Sequence, residues 1–476
     1  MKIVLATPPA DGSRCGLGMP PPLGLIYVAT ATQEKLGNKI KIVDAFSEGL
    51  YAEEAAARVL AHHPDIFGLS VISTNINRGL KLLKRVKQAQ PTVTTVLGGQ
   101  HATLFDRLLL REVPEVDMVL RGEGEESFPE LCRHLGGHSL AGVPGLSYRN
   151  GGEIIQGQPQ VIGDLNSLPF PDRNISDYQG YYTRWGYSQI PTVGRITSIL
   201  SSRGCPGHCT FCTRIPAELS RWRPRSSENV LRELRLLSRQ GYEVAIFMDE
   251  NLTVSASRID HLCRLIIQDN LRMRFAFEGF LEHLSDSTLG LMRQAGFDMA
   301  FVGVETGSDP QRRRYRKPGS AQAVAQGIRR AQKHHFLVHA FLMIGGPGET
   351  QADIENTKNF LREVQPHLIN INAIKVHPGT QLWHELAGPG EPATLKDADS
   401  RQIYDFPGQT DEATLAKEAR EIYQFYLRRL FRWKNLLEFL QLFRHNPLVR
   451  ATIWSALKRI SVLMQLTKPR YSETVE

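Results

Sequence analysis

Short apolar runs alternate with longer amphipathic stretches through the first 140 residues. The runs are "KIVLA" (2–6), "KIKIVDA" (39–45), "DIFGLSVI" (65–72), "VTTVLGG" (93–99) and "DMVLRGEGE" (117–125). Between them lie helix-like segments such as "AEEAAARVLAHH" (52–63) and "RGLKLLKRVKQAQ" (78–90). Five strand–helix units of this length predict a doubly wound parallel sheet with helices on both faces. Ligands of such sheets gather at the carboxyl ends of the strands. That edge would carry Pro8, Pro9, Ser70, Ser73, Thr74, Gly98, Gly99, Gln100, His101 and residues 122–125, Glu123 among them.

A Gly/Pro-rich stretch follows, from about 142 to 194, and reads as a tether between domains. From residue 195 the alternation resumes with six strand candidates, at 195–202, 243–249, 273–279, 299–305, 336–346 and 368–376. Helical segments such as 226–240 and 350–364 fit between them. A full (βα) barrel needs eight units, so six predict a partial one with its chemistry at the strand carboxyl ends. After about 388 the pattern turns helical, most clearly over 419–443. The expected organisation is α/β: a Rossmann-like sheet over 1–142, a linker over 143–194, a partial (βα)6 barrel over 195–388 and a helical basic region over 389–476.

Composition narrows the picture. A chain of 476 residues exceeds one ordinary core, so two or three domains are expected. No run of eighteen apolar residues occurs, so no spanning helix is expected. The start, "MKIVLATPPADG", lacks the succession of a signal peptide and points to a cytoplasmic protein. The net charge of +8 is concentrated: residues 417–476 hold 12 Lys and Arg against 5 Asp and Glu. Trp433, Trp454, Phe431, Phe439 and Phe443 mix there with Arg428, Arg429, Arg432, Lys458 and Arg459. Such mixing suits a helix at a membrane surface, or one packed on the barrel with its basic face in water. Nucleic acid is the less favoured anionic partner.

Half of the six cysteines stand within eight residues, Cys205, Cys209 and Cys212 in "SSRGCPGHCTFCTR" (201–214). They fall just after the first barrel strand, where a catalytic group belongs. A structural zinc takes four protein ligands, and only His208 stands near as a fourth. Cys15, Cys132 and Cys263 are scattered and read as core thiols. An iron–sulfur cube held by three thiolates leaves one iron open to a small molecule.

"CPGHCTFC" resembles the CxxxCxxC signature of the radical S-adenosylmethionine (SAM) enzymes, including the aromatic Phe211 before the last cysteine. The resemblance implies a [4Fe-4S] cluster on Cys205, Cys209 and Cys212. Its open iron would chelate the amino and carboxylate groups of SAM, and its electron would release a 5′-deoxyadenosyl radical. It also implies SAM contacts in order along the chain. Asp249 and Glu250 of "FMDENLT" would face the methionine ammonium. Glu305 and Ser308 of "GVETGS" would meet the ribose or carboxylate. Gly345 and Gly346 of "MIGGPGET" would pack beside the adenosyl moiety, and "VHPGTQL" (376–382) would border the adenine.

The sheet ahead of the barrel carries "PP…PPLGLIYVAT", "GLSVIST", "LGGQHAT" and "RGEGEESFPEL", which look like the cobalamin-binding domain of the cobalamin-dependent radical SAM class. In that class Ser70 and the Gly98–Gly99 pair would line the tunnel for the nucleotide tail. The Asp-x-His-x-x-Gly cobalt-ligand motif is missing; the corresponding loop reads "ADGSRCGLG" (10–18), as in most relatives of this class. No G-x-G-x-x-G follows the first strand, which weakens a dinucleotide reading.

Together the resemblances imply a methyltransferase acting on an unactivated carbon of a small or lipid-like substrate: a hopanoid, a tetrapyrrole or another secondary metabolite. A flavodoxin or ferredoxin would supply the electron. The same cofactors serve oxidative cyclisation of a tetrapyrrole in the cyclase relatives. A regulatory protein binding cobalamin or nucleic acid, with an inert cysteine loop, is the alternative of a different class.

Overall fold

The computed structural model describes residues 1–10, 20–176, 181, 195–213, 217–388, 392, 394–395, 411–430 and 440–446. Cys15, most of the 10–18 loop and the tail residues 431–439 and 447–476 lie outside them. So do the side chains of Arg428 and Arg429, and with these the expectation of a membrane-surface helix.

All five expected strands of the first sheet form: β1 (Ile3–Ala6), β2 (Ile40–Val43), β3 (Ile66–Ser70), β4 (Thr94–Gly98) and β5 (Met118–Leu120). They are mutually parallel, in the order β2-β1-β3-β4-β5. Their apolar runs are buried on both faces, as a sheet covered by helices on each side requires. The order reverses between β1 and β3, the switch point where this topology binds ligands.

The sheet runs on past the expected boundary at 142. β6 (Leu146–Asn150) and β7 (Glu153–Ile155) add antiparallel to β5. The rest of the expected tether is also pinned. The Arg173 guanidinium donates to Thr197 Oγ1 at 2.8 Å, to Ser198 O at 2.6 Å and to Glu233 Oε1 at 2.8 Å. Glu233 has no solvent exposure and also receives Arg225. A stretch that looks loose by its glycines and prolines therefore threads a buried arginine into the next domain.

That domain is a six-stranded, all-parallel half barrel. Its strands are β8 (Arg195–Ile199), β11 (Tyr242–Phe247), β12 (Arg274–Glu278), β13 (Phe297–Glu305), β14 (Leu337–Ile344) and β15 (Leu368–Ala373), adjacent in chain order. A two-residue antiparallel ladder, β9 (Ser202–Arg203) with β10 (Arg223–Pro224), lies between β8 and β11. Alternation sorts each strand's residues onto two faces. Phe247, Phe275, Phe277, Val338 and Leu342 face the helices and form the main core. Val244, Ile246, Ala276, Met299, Phe301 and Leu337 face the concave side, where Leu442 and Phe443 pack against them.

The helices start where their caps dictate. Ser226 accepts from Asn229 N ahead of the helix Ser227–Arg239. Thr350 and Asp353 form a capping box on the helix Gln351–Val364. The last long helix, Glu412–Leu430, lays Leu415, Ala419, Ile422 and Tyr426 on the barrel core. Among the described residues no helix is long and apolar enough to cross a membrane.

Candidate active site

The cysteine loop leaves β8 and is closed by its own backbone. Gly204 has a φ of +79°, and a Cβ there would lie 2.3 Å from Arg221 O, so the turn needs glycine. Cys205 N donates to Ser220 O at 3.1 Å, Thr210 N to Tyr315 O at 2.9 Å and Cys212 N to Cys209 O at 3.1 Å. Cys205 is buried, Cys209 and Cys212 half-buried, and none of the three is in a disulfide. Phe211 stacks edge-on against Tyr315 at 5.4 Å and fixes the far side of the loop.

Glu305 is aimed by an irregular strand end. β13 slips register against β14 between Gly303 and Glu305, and Glu305 takes a φ of +64°, strained for a residue with a side chain. Its carboxylate holds Lys317 Nζ at 2.9 Å. Burial pushes the Lys317 ammonium down, but Glu305 and then Cys209 outweigh it and leave it above the usual lysine range. Lys317 also lies 4.9 Å from the Phe280 ring centre.

Two further carboxylates stand at the neighbouring strand ends. Glu250, just past β11, is exposed and accepts from Gly204 N at 3.1 Å. Glu278 ends β12 on the concave face, where it is accessible yet walled in by protein. Burial first, then the charge of Glu305, pushes its carboxyl up to about 7. Glu278 is not among the expected site residues, although it ends its strand as Glu305 does. The signal was available in "RFAFEG", where Glu278 shares the face of Ala276.

Other residues expected at the SAM site also meet neighbours within the protein. Asp249 is buried; its carboxylate accepts from Ser201 N at 2.8 Å, from Ser201 Oγ at 2.7 Å and from Ser202 Oγ. It anchors the root of the cysteine loop, whereas the neighbouring Glu250 is exposed. Ser308 is fully buried and donates to Asp353 beneath the barrel mouth. A Cβ on Gly345 would come within 2.6 Å of Leu415, and one on Gly346 within 1.8 Å of the Tyr315 hydroxyl. These glycines admit protein neighbours.

In the first domain, Ser70 ends β3, Gly98 ends β4 and Gln100 opens the helix Gln100–Leu104. Gly99 has a φ of +91°, and a Cβ there would lie 2.5 Å from Val71 O. A Cβ on Gly98 would meet only Leu120 O, at 3.9 Å, so open space lies above it. His101 is buried with Nδ1 3.0 Å from Ser73 Oγ. Ile72, beside them, is 45% exposed. Glu123 departs from this group: it turns away to Arg203 and Arg223 of the barrel domain.

Residues 14–132 match the B12-binding domain family and residues 199–361 the radical SAM superfamily. The chain therefore belongs to the cobalamin-dependent radical SAM enzymes, and its cofactors are a [4Fe-4S] cluster, SAM and cobalamin. It is 29% identical over 390 residues to an uncharacterized methyltransferase of Pyrococcus horikoshii, covering 80% of this chain and 82% of that one. It is 27% identical over 477 residues to the cytidylyl-2-hydroxyethylphosphonate methyltransferase of Streptomyces wedmorensis, covering 88% of each. The fold matches that of the radical SAM methyltransferase TsrM from Kitasatospora setae, solved with cobalamin and a [4Fe-4S] cluster. The TM-score is 0.70 at 15% identity, over 89% of this chain and 90% of that one.

The residues present fit these groups. Three thiols on one closed loop suit a cluster. Among the described residues no three His, Cys, Asp or Glu side chains gather around a single ion, and a cluster does not ask them to, because its thiolates bind different irons. The open space over Gly98, rimmed by Ser70 and exposed Ile72, suits a ligand lying on the sheet edge. Glu250 and Glu278 offer carboxylates to a cationic amine or to hydroxyls.

Proposed function

We propose that this chain methylates an unactivated carbon of a small-molecule or lipid-like substrate. The observation that carries the reading is the contact between the two cofactor domains. The turn after β5, at the ligand edge of the first sheet, is ion-paired to the two arginines that bracket the cysteine loop. The two cofactor ends thus belong to one junction. The methyltransferase relatives favour methyl transfer over cyclisation, and the phosphonate methyltransferase is a precedent for a small polar substrate.

With the cofactors bound, the cluster supplies the electron that splits SAM, and cobalamin carries the methyl group. The protein's part is placement. Cys205, Cys209 and Cys212 hold the cluster. Glu250 would receive the SAM ammonium in the mouth of the half barrel, and Glu305, fixed by Lys317, would meet the ribose or carboxylate. Glu278 would supply a carboxyl group to the same recess, where the charges of Glu305 and Glu250 act on it. Ser70, Gly98 and Gly99 line the cobalamin edge.

The test is anaerobic reconstitution with iron, sulfide and cobalamin, followed by reduction in the presence of SAM labelled in its methyl group and cell extract. Expected are 5′-deoxyadenosine and a product that has gained one labelled methyl group. A product that loses hydrogen and takes up no label would replace methyl transfer by cyclisation. No 5′-deoxyadenosine from a protein with a full cluster would end the radical reading.

A further inference from the structure

The cysteine loop is bracketed by two arginines that face each other. Arg203 and Arg223 are directly paired in the β9–β10 ladder, two residues before Cys205 and eleven after Cys212. Neighbouring guanidiniums taken out of water repel unless counter-charges reach them. The counter-charges come from the other domain. Glu123 Oε1 accepts from Arg203 Nη1 at 3.0 Å and Arg223 Nη2 at 3.0 Å, while its Oε2 accepts from Arg223 Nη1 at 2.6 Å. Glu125 Oε1 accepts from Arg203 Nη2 at 2.6 Å. Side-chain exposures of 14% or less on all four leave little room for water to replace a partner.

The turn that presents Glu123 is rigid. Gly122 has a φ of +85°, and a Cβ there would lie 2.2 Å from Gln160 O. Glu123 N donates to Gln160 O at 2.9 Å, and Ile162 N donates to Glu123 Oε2 at 2.6 Å. On the other side, Arg203 is separated from Cys205 only by Gly204, which has no space to move. A shift of Arg203 is therefore passed to the first cluster ligand.

We propose that Glu123 and Glu125 are positioning residues for the cluster: the cobalamin-binding domain supplies the two negative charges that close the cysteine loop of the radical SAM domain. This rests on the assignment of the cluster to Cys205, Cys209 and Cys212, which cysteine substitution tests separately.

The experiment uses the full chain, reconstituted anaerobically without substrate. Glu123→Gln, Glu125→Gln, Arg223→Gln and the double variant Glu123→Gln/Arg223→Gln are compared with the parent. The measurements are the rate at which cluster absorbance is lost to an iron chelator, the paramagnetic resonance of the reduced cluster, and the melting transition. Glu123→Gln and Arg223→Gln should each lose the cluster about tenfold faster, with an altered resonance. The double variant should be no faster than either single one, because both remove the same interaction. Wild-type cluster loss in a Glu123→Gln protein of unchanged melting would overturn the proposal, as would a double variant whose effect is the product of the two. Should Glu123→Gln fail to fold, Glu125→Gln is read in its place: faster cluster loss supports the proposal, and wild-type cluster loss at unchanged melting overturns it. Substrate plays no part in these measurements, so failure of methyl transfer and failure of this proposal are separate results.

Discussion

Lys317 Nζ lies 2.9 Å from Glu305 Oε1, and the missing side chain of Gly303 makes room for both. A Cβ on Gly303 would sit 2.4 Å from the Glu305 carboxylate and 2.9 Å from the ammonium. The alternation of β13 would otherwise put a side chain here.

Gly303→Ala is therefore expected to force this buried pair apart. The atoms that must give way are the ends of two flexible side chains, so the cost to stability is about 1 kcal/mol or less, read from a denaturant midpoint. On the proposal that Glu305 meets SAM, the dissociation constant for SAM should rise at least about tenfold, or about 1.4 kcal/mol, in equilibrium dialysis. Unchanged values of both would mean that the pair shifts freely and places nothing.

Among the described cysteines, Cys209 and Cys212 are half-buried and Cys132, Cys205 and Cys263 are buried. Burial pushes the thiols of Cys132 and Cys263 up to about 12, so neither carries a useful thiolate fraction at neutral pH. Alkylation of the cluster-free protein at pH 7 should mark Cys209 and Cys212 and spare Cys132 and Cys263, by mass spectrometry of the peptides. Alanine at Cys205, Cys209 or Cys212 should abolish iron retention and 5′-deoxyadenosine formation. Alanine at Cys132 or Cys263 should leave both in place.

The parallel strands were legible in the sequence because they are short, mostly buried apolar runs alternating with helical segments, whereas the more exposed β6 and β7 lacked such a run. The cysteine loop was legible because its spacing is local. What escaped was whatever depends on partners far apart in the chain. Asp249 and Glu250 are adjacent and look alike, yet one is consumed by Ser201 and Ser202 and the other is open. Nothing local to Gly345 and Gly346 announces that a Cβ there would meet Leu415, Tyr315 and Gln311. Nothing local to Arg173 announces that it crosses into the barrel to meet Glu233.

His339 and Glu278 should tilt the pH dependence of stability in opposite directions. Both ring nitrogens of His339 are buried without a partner, and its ring stacks on Phe341 at 4.5 Å. Burial pushes it down to about 4, so the folded protein keeps it neutral while the unfolded chain takes up a proton near 6.5. That stability is present above pH 6.5 and is lost as pH falls towards 4. His339→Phe should remove the loss, a gain at pH 5 relative to pH 8 on the order of 2 kcal/mol. For Glu278 the sign reverses. Its folded proton is held to about 7, whereas the unfolded carboxyl releases it near 4.5, so stability falls as pH rises between those values. Glu278→Gln should flatten that part of the curve. Denaturation at pH 5, 6, 7 and 8 separates the two, and parallel curves for wild type and both variants would contradict these assignments.

Glu233 holds Arg173 and Arg225 with no solvent access, whereas Glu363 holds Arg329 at 2.7 Å with both side chains about half exposed. Removing one member of a buried set leaves uncompensated charge. Glu233→Ala should therefore cost about 3–5 kcal/mol in chemical denaturation. Glu363→Ala should cost about 0–1 kcal/mol. Equal costs would mean that water reaches the Glu233 site once the carboxylate is gone.

Because Glu123 and Glu125 sit on one domain and Arg203 and Arg223 on the other, the two halves are not freely interchangeable units. A chimera joining this barrel to a foreign first domain would inherit two guanidiniums with no carboxylates to meet them. Recombination between relatives would succeed only where both sides of that quartet travel together, so the crossover point is set by charge pairing as much as by the boundary between folds.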